Sequence, residues 1–237
     1  MKLIKADKIN ILCTICMRGG SVGVKNKHIR KINKKSFLDY TISQAKSSVL
    51  FDKIVVSTDS KEIQKLSLKS GADYAFIRPK YMAKNYSPKL PVIRNAFQKS
   101  EKFYKKKFDI LVDLDATSPL RIIKDIKDAY NMFIKNNSPN LISACKSKKN
   151  PYYNIVEYNN KKIQISKKIS NKIPDSRQQS PVTYDMNASI YIWKRNIILQ
   201  TDEIFLRNTS LYIMPENRSI DIDSEFDFKL VKMLIEK

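Results

Sequence analysis

Hydrophobic and polar positions follow two different periods along the chain. Short apolar runs predict β-strands over residues 9–16, 53–57, 74–77, 108–112, 140–145, 188–193 and 210–214. Between them, apolar residues at helical spacing predict helices over residues 36–47, 60–70, 90–104, 122–135 and 224–236. Strands that alternate with helices form a mostly parallel sheet covered on both faces, so the pattern favours an α/β fold.

One segment, residues 146–185, interrupts this alternation. It is polar and proline-bearing, and its one alternating piece, IVEYNNKKIQI, predicts a hairpin around Asn159 and Asn160. At 42% apolar content, residues 1–237 are sufficient to bury the core of a single domain. We expect that one domain, with 146–185 leaving the main sheet as a lid or a dimerisation arm.

The lengths of the apolar segments and the number of cysteines indicate the cellular compartment in which we expect the protein. No stretch approaches the roughly 20 apolar residues of a membrane helix, and the first residues lack the apolar core of a signal peptide. The three cysteines form an odd set, which disfavours a disulfide framework. Cys13 and Cys16 lie three apart in a predicted strand and point to opposite faces, which disfavours a shared metal ion. We expect a cytoplasmic protein with structural cysteines and no membrane partner.

The charge balance is strongly basic. The chain carries 45 Lys and Arg against 23 Asp and Glu, a formal net charge of +22. Such a charge attracts nucleic acid, an anionic membrane or a polyphosphate substrate. The lysines are spread along the whole chain rather than gathered in one arm. We therefore expect no nucleic-acid partner, and the charge alone identifies no other.

A glycine-rich stretch, CMRGGSVGVKNKH at residues 16–28, follows the first predicted strand and holds three of the four glycines. Glycine lets backbone N–H groups approach an anion and opens positive φ angles. The spacing fits neither a P-loop nor a dinucleotide fingerprint. The neighbouring cations Arg18, Lys25, Lys27 and Arg30 leave two interpretations, which are a phosphate-binding loop and a tight turn with solvated cations.

Paired carboxylates follow two later strands. Asp221 and Asp223 lie two apart in an extended segment, so both face the same side, and this donor set suits Mg²⁺. The same segment could instead begin a helix, where acids are favoured by the helix dipole. Asp113 and Asp115 repeat the spacing, and the TSP that comes after them is also typical of a helix start.

Ligands of parallel sheets bind beyond the carboxyl ends of the strands, so these loops should meet at one edge. Arg177 precedes the sixth predicted strand within RQQSPVTYDMNASIYIW. Its guanidinium could bind a carboxylate in bidentate fashion or lie at the surface as an ordinary cation.

Taken in order, these loops resemble the acylneuraminate cytidylyltransferase family, whose members join a nine-carbon sugar acid to CMP from CTP. The resemblance runs nearly the full length, through ILCTICMRGGSVGVKNKHIRKI, VVSTDSKEI, RPKYMA, DLDATSPLR, RQQSPVTYDMNASIYI and DIDSEFD. It implies a three-layer α/β/α nucleotidyltransferase fold. It also implies a homodimer formed through a segment like 146–185.

The resemblance implies roles for individual residues. The CTP phosphates would contact Arg18, Ser21 and Lys27, and catalysis would rest on Arg18, Lys27 and Asp223. The rest of the nucleotide side would be Gly19, Gly20, Gly23, His28, Ser57, Asp59 and Arg78. The sugar side would be Asp115, Thr117, Ser118, Arg177 and Tyr191. Mg²⁺ would be bound by Asp221 and Asp223, and the general base would be a metal-bound water or Asp223.

Four positions depart from the family pattern. Val22 replaces a lysine, a loss that Lys25 could cover, and Asn85 replaces an aspartate. His28 replaces an asparagine and should titrate near its ordinary pKa of about 6.5, donating one hydrogen bond when neutral. Asp115 replaces a glutamine, which suggests a sugar other than N-acetylneuraminate, and the pattern is most similar to the branch acting on legionaminic-type acids.

The expected function is therefore CTP-dependent activation of a nine-carbon nonulosonic acid, with release of pyrophosphate and with Mg²⁺ as cofactor. Two alternatives stay open. One is a cytidylyltransferase for the eight-carbon acid 3-deoxy-manno-octulosonate, which would share the fold. The other is a basic RNA-binding protein, which would show a steep salt dependence of binding and no CTP turnover.

Overall fold

The structure, a computed structural model, describes residues 8–169 and 172–236. Residues 1–7, 170–171 and 237 belong to the expected domain, and 170–171 to the segment 146–185, but they lie outside the described residues. The strands are β1 (Ile11–Cys16), β2 (Lys31–Ile32), β3 (Lys35–Ser36), β4 (Lys53–Thr58), β5 (Tyr74–Ile77), β6 (Ile110–Leu114), β7 (Asn140–Lys146), β8 (Val156–Asn159), β9 (Lys162–Ile165), β10 (Tyr184–Lys194) and β11 (Ser210–Ile213). The helices are α1 (Phe37–Ser48), α2 (Lys61–Lys69), α3 (Lys89–Tyr104), α4 (Ile123–Lys135), α5 (Arg195–Gln200) and α6 (Glu225–Ile235).

A seven-stranded sheet forms the centre, in the order β11-β7-β10-β6-β1-β4-β5. The pairs β1 with β4, β1 with β6, β4 with β5 and β11 with β7 are parallel. Strand β10 runs antiparallel to both of its neighbours, β6 and β7. The predicted α/β class with a mostly parallel sheet is thus confirmed, and every predicted strand and helix is present within a few residues of its expected ends.

The period-two pattern of the strands builds two hydrophobic layers. In β1, Cys13 and Ile15 face one layer, which also contains buried side chains of α1, α2 and α4. Leu12 faces the other, which contains Leu90 and Phe97 of α3 and Ile198 of α5. Alternate residues of a strand point to opposite faces, so one strand contributes to both cores. The result is the predicted three-layer α/β/α arrangement.

Side-chain caps fix where several helices begin. The hydroxyl of Ser36 accepts a hydrogen bond from the N–H of Asp39, and the Asp39 carboxylate accepts one from the N–H of Ser36. Ser224 and Asp227 form the same reciprocal pair at α6. Such capping boxes satisfy N–H groups that have no partner within the helix. The predicted start of the last helix is therefore confirmed to within one residue.

The segment 146–185 leaves the sheet at the end of β7 and returns at the start of β10, where Tyr184 pairs with Lys146. It contains the predicted hairpin, β8 and β9, but the turn lies one residue later than expected, with positive φ at Asn160 and Lys161. Its apolar side chains include exposed ones, such as Tyr158 at 77%. No helix in the described part of the chain is both long enough and apolar enough to cross a membrane.

Candidate active site

A cavity of about 290 Å³ opens beyond the carboxyl ends of β1 and β6. It is lined by residues from separate motifs, among them Arg18, Lys27, Arg78, Asp115 and Asp221. These positions span most of the chain, and the parallel strands bring them to one edge of the sheet. The cavity therefore joins the glycine-rich loop, the RPKYMA motif, the DLDATSPLR motif and the DIDSEFD motif.

Two glycines of the loop are required by packing within the protein. A Cβ on Gly19 would lie 2.9 Å from the Cβ of Ser60, and a Cβ on Gly23 would lie 1.9 Å from the carbonyl oxygen of Asp223. From the sequence, these glycines were expected to provide positive φ angles and a close approach for an anion. None of the loop glycines has a φ in the left-handed region, and Asn26 supplies that conformation instead, at 55°.

Hydrogen bonds fix the loop against its neighbours. The N–H of Gly19 donates to Asp59 Oδ1 at 2.8 Å, so Asp59 holds the loop from behind the cavity. Ser57 lies beneath it, with its carbonyl accepting from the N–H of Met17 at 2.9 Å and its hydroxyl buried without a partner. Gly20, by contrast, has open space around it. Gly20 is exposed, and Ser21 next to it lines the cavity.

Lys27 links the glycine-rich loop to the last acidic motif. Its Nζ donates to the carbonyl of Ile222 at 2.5 Å and lies 3.2 Å from Asp223 Oδ1. The lysine side chain is 13% exposed, whereas that of Asp223 is 81% exposed. Asp223 therefore lies at the mouth of the cavity, with its charge partly offset by a lysine from beneath.

One side of the cavity, which we call the open wall, consists of Arg18, His28, Arg78 and Asp221. His28 Nδ1, Arg78 Nε and Asp221 Oδ1 are buried and have no hydrogen-bond partner within residues 8–169 and 172–236. Arg18 Nη1 makes a long contact of 3.4 Å to the carbonyl of Lys84. Buried polar groups are usually paired, so unpaired ones grouped in one cavity mark a place for a ligand.

Burial shifts the pKa of two groups on the open wall. The pKa of Asp221 rises to about 6 because it is desolvated, and because the negative charges of Asp115 and Asp223 add to the effect. The pKa of His28 falls to about 4, chiefly through desolvation, and Lys27 and Arg78 contribute. The expectation that His28 would titrate near 6.5 is therefore wrong, and it is neutral at physiological pH.

A second group, which we call the bonded wall, consists of the cavity-lining residues Lys89, Asp115 and Thr117 together with Asp113 and Arg121, which do not line the cavity. Asp115 Oδ1 accepts hydrogen bonds from the N–H of Thr117 at 3.0 Å and its hydroxyl at 2.7 Å, and Oδ2 accepts one from Lys89 Nζ at 2.7 Å. Burial raises the pKa of Asp115, but Lys89 and Thr117 outweigh it and hold that pKa below its ordinary value. The carboxylate is ionised and fixed in one orientation.

Arg121 supports the bonded wall from within the core. It is 1% exposed, and its Nη1 donates to Ser189 O at 2.6 Å and to Asp115 O at 3.2 Å. Its Nη2 donates to Gln44 Oε1 at 3.0 Å. Desolvation lowers its pKa to about 10, so it stays cationic. Through these hydrogen bonds, Arg121 connects α1 and β10 to the loop after β6 that carries Asp115.

Several residues expected on the sugar side lie behind the cavity surface. Ser118 is buried, and its hydroxyl lies 3.5 Å from the carbonyl of Asn187. Tyr191 is 4% exposed and stacks on Trp193 in the core, with Lys89 Nζ 4.6 Å from its ring centroid. Val22, which replaces the family's lysine, is 73% exposed and does not line the cavity.

Arg177 lies apart from the other predicted residues. It lines a second cavity of about 940 Å³ together with residues of 146–185 and the loop after β11. Its Nη2 donates to the carbonyl of Ser147 at 2.9 Å. Within one chain, Arg177 therefore does not share the cavity that contains Arg18 and Asp221.

The carboxylates of Asp221 and Asp223 fit a magnesium ion that has few protein ligands. Asp221 offers a buried, unpaired carboxylate oxygen, and Asp223 offers an exposed carboxylate two residues later. No cluster of three or more His, Cys, Asp or Glu side chains suited to a metal exists among residues 8–169 and 172–236. Mg²⁺ needs only one or two protein carboxylates when substrate phosphates and water complete its shell.

Lys89 and Arg121 are functional-site residues that the sequence analysis missed. Lys89 follows the SP of NYSPKL, which reads locally as a helix start, and its partner Asp115 is 26 residues away. Arg121 ends the quoted DLDATSPLR motif, but nothing in that motif shows that its side chain is buried. Only the tertiary structure reveals their contacts.

Comparisons with known proteins agree with this geometry. The family model described as Cytidylyltransferase matches residues 12–237. The "Post-translational flagellin modification protein B" of Campylobacter coli is 50% identical over 227 residues, which is 96% of this chain and 95% of that protein. The "CMP-N,N'-diacetyllegionaminic acid synthase" of Campylobacter jejuni subsp. jejuni serotype O:2 is 51% identical over 225 residues, 95% of this chain and 94% of that protein.

Among solved structures, the fold is similar to that of CMP:2-keto-3-deoxy-manno-octonic acid synthetase complexed with CTP. The TM-score is 0.69, and the match covers 96% of this chain and 98% of that chain. Sequence identity is 13%, so this likeness concerns the fold.

Proposed function

The chain belongs to the cytidylyltransferase family, and from that premise we propose that it transfers CMP from CTP to the anomeric hydroxyl of a nine-carbon nonulosonic acid. One observation carries the proposal. The cavity is lined by Arg18 and by His28, Arg78 and Asp221, each of which has a buried polar atom without a hydrogen-bond partner among the described residues. That combination suits a polyphosphate with a divalent cation.

The relatives support the assignment of the sugar class. A protein that is 51% identical over nearly the full length of both chains is named a CMP-N,N'-diacetyllegionaminic acid synthase. We assign a legionaminic-type acid as the preferred substrate. The alternative substrate, an eight-carbon sugar acid, is supported by the similarity of fold alone. Nothing in the cavity favours a nucleic acid as the ligand.

In the proposed reaction, the anomeric oxygen attacks the α-phosphorus of CTP as the bond to the β-phosphate oxygen breaks. The products are the CMP-sugar and pyrophosphate, and the hydroxyl proton passes to Asp223, the exposed carboxylate at the cavity mouth. Arg18, Ser21 and Lys27 bind and orient the phosphates, so Lys27 exchanges its contact with Asp223 for a phosphate oxygen. The enzyme supplies position and charge, and no covalent intermediate is needed.

Asp221 and Asp223 would hold Mg²⁺, which supplies neutralisation of the charge that develops on the phosphates. Asp221 is suited to this role because its buried oxygen has no other partner. His28 remains neutral and offers one N–H to the nucleotide, as the family asparagine does by the resemblance. Arg78 is the remaining buried cation on that side.

We further propose a cytoplasmic homodimer formed through 146–185. This segment carries exposed apolar side chains, including Val156 at 62%, Tyr158 at 77% and Ile163 at 65%. Exposed apolar groups clustered on a hairpin are typical of an interface. An assembled dimer also offers Arg177 a route to a sugar carboxylate that it cannot reach within its own chain.

The experiment is a pyrophosphate-release assay on the purified protein with CTP, Mg²⁺ and a panel of nonulosonic acids. We expect release only when all three are present, with the fastest turnover on a legionaminic-type acid and none after EDTA treatment. Preferred turnover of the eight-carbon acid would overturn the substrate assignment. Salt-sensitive RNA binding without any CTP turnover would overturn the enzyme assignment itself.

A further inference from the structure

Lys89 has no part in the reaction described above, although it lies in the same cavity. It is the first residue of α3, and its side chain reaches across to β6 and β10. Its Nζ lies 2.7 Å from Asp115 Oδ2, 3.3 Å from the carbonyl oxygen of Ala188 and 3.8 Å from Asp113 Oδ2. One cation thus serves two carboxylates and a carbonyl.

The hydrogen-bond inventory of Asp115 shows what Lys89 contributes. A carboxylate has about four acceptor positions, two on each oxygen. Both hydrogen bonds from Thr117 go to Oδ1, and Lys89 donates to Oδ2. Among the described residues, one acceptor position therefore remains, on Oδ2, the oxygen that accepts from Lys89.

The backbone around Lys89 is shaped to hold it. Ala188 has a φ of 51°, a left-handed conformation that is unfavourable for alanine by about 1–2 kcal/mol. It lies in the irregular stretch of β10 between Met186 and Tyr191, where the register with β7 shifts. This conformation places the Ala188 carbonyl on Lys89. Strained residues persist where surrounding contacts hold them, and they concentrate at functional sites.

Charge explains why the lysine is needed. Asp113 is fully buried, with one oxygen bonded to Thr14 at 2.7 Å and the other without a hydrogen-bond partner. Asp115 lies two residues further along, at the cavity, with its side chain 18% exposed. Two such carboxylates repel each other, so without a cation Asp115 would turn away or take up a proton. Lys89 keeps it ionised and in place.

We propose that Lys89 is a positioning residue for sugar recognition, holding Asp115 Oδ2 as the acceptor for an O–H or N–H donor on the sugar acid. This inference rests on the proposed function, because it names the group that reads the substrate. A site built to bond a polar group strongly rejects analogues that lack it. It also explains why aspartate is tolerated where the resemblance leads us to expect a glutamine, since a neutral amide would need no lysine beside it.

The test is a double-mutant cycle on the full-length protein, using Lys89→Met, Asp115→Asn and the combined variant. For Lys89→Met we expect the KM for the sugar acid to rise by about tenfold or more, while the KM for CTP changes by less than about twofold. The combined variant should be no less active than the less active of the two single variants, because a neutral side chain at position 115 has no charge for Lys89 to offset. Lys89→Arg, which keeps the charge, should retain more activity than Lys89→Met.

Lys102→Met, a change to an exposed lysine on the same helix, is the matched control and should leave both KM values unchanged. Additive losses in the cycle, or a rise confined to the KM for CTP, would overturn the role of Lys89. A panel of sugar acids, each lacking one O–H or N–H, identifies the donor, since its loss should lower kcat/KM in the wild type but not in Asp115→Asn. If every such analogue behaves alike in both proteins, the proposal fails. Failure of the proposed function itself is recognisable separately, because the wild type would then release no pyrophosphate with any nonulosonic acid.

Discussion

The two walls of the cavity are built from similar polar residues but in opposite ways. On the open wall, His28, Arg78 and Asp221 each bury an atom that has no hydrogen-bond partner among the described residues. The cavity-lining groups of the bonded wall are hydrogen-bonded to one another, and the unpaired atoms on that side, Asp113 Oδ2 and Arg121 Nε, belong to residues that do not line the cavity. The open wall therefore presents free atoms to a ligand, whereas the groups that the bonded wall presents already have partners.

This difference separates two physical tasks. A buried polar atom without a partner costs about 1–3 kcal/mol of folding free energy, which a ligand can recover when it binds. A wall whose groups are already hydrogen-bonded keeps its geometry. It can reject a substrate that lacks the polar group needed to complete its remaining hydrogen bonds. Substitutions on the open wall should therefore impair binding without loss of stability, whereas those on the bonded wall should impair stability or specificity.

The largest expected effect is at Asp221. Asp221→Asn should lower kcat by at least about a hundredfold, because it removes the proposed ligand of Mg²⁺. In metal-free protein, the same change should raise stability above pH 6. The pKa of this carboxyl rises from 3.8 to about 6, so the folded state loses stability as pH rises through 6. The gain should be at most about 3 kcal/mol, at about 1.4 kcal/mol per pKa unit, measured by urea unfolding in EDTA at pH 5 and pH 8.

Asp223→Asn is the matched comparison for that measurement. Its side chain is 81% exposed, so it carries little desolvation cost in the folded protein. It should lose activity as Asp221→Asn does but without the gain in stability. Full activity in either variant would contradict the metal assignment, and equal stability changes would contradict the contrast between buried and exposed carboxylates.

The second effect is on the bonded wall. Arg121→Met should lower the free energy of unfolding by about 3–5 kcal/mol, because it removes the buried guanidinium together with its hydrogen bonds to Ser189 O, Asp115 O and Gln44 Oε1. Thermal or urea unfolding with and without CTP would measure it. A stable variant with a selectively raised KM for CTP would place Arg121 in ligand binding instead.

A smaller effect is expected for Arg78 on the open wall. Arg78→Met should raise the KM for CTP by about tenfold, equivalent to about 1.4 kcal/mol of lost binding. The unfolding midpoint should stay the same or rise, because the buried Nε has no partner to lose. Arg207→Met, at an exposed arginine, is the control for the loss of one positive charge. If Arg78→Met instead causes a large loss of stability, the assignment of Arg78 to the open wall is wrong.

The smallest effect concerns His28. Its pKa is lowered to about 4 in the folded state, so the unfolded chain takes up a proton first as pH falls below 6.5. The neutral imidazole of His28 contributes stability to the folded state above pH 6.5. This contribution is lost as the pH falls from 6.5 toward 4. Between pH 8 and pH 6 this should amount to about 1 kcal/mol, and His28→Asn should abolish that part of the dependence. The KM for CTP should show no titration of His28 between pH 6 and 9, and a step near 6.5 would contradict its burial.

The sequence predicted the fold more completely than the site, for a physical reason. Strands and helices are set by local periodicity, and β5 was found with its observed ends, Tyr74–Ile77. Helix starts at Ser36 and Ser224 follow from local capping chemistry. The short β2 and β3, each two residues long, carry too little pattern to be detected.

The site depends on contacts that local patterns do not contain. Motifs identified the aspartates, but not that Asp221 is buried with a free oxygen while Asp223 is exposed. The motif likewise does not show that Gly23 is required by the carbonyl of Asp223, far away in the sequence. Lys89 gave no local signal at all, because its role depends on a tertiary ion pair with Asp115.

The most direct measurement is a crystal structure of the protein with CTP and Mg²⁺. We predict that the triphosphate contacts Arg18, Ser21 and Lys27, that Lys27 has left Asp223, and that Asp221 contributes an oxygen to the metal ion. Asp115 should keep its bond to Lys89 and touch no phosphate. A triphosphate bound against Lys89, or in the separate cavity lined by Arg177, would contradict the assignment of the open wall to the nucleotide.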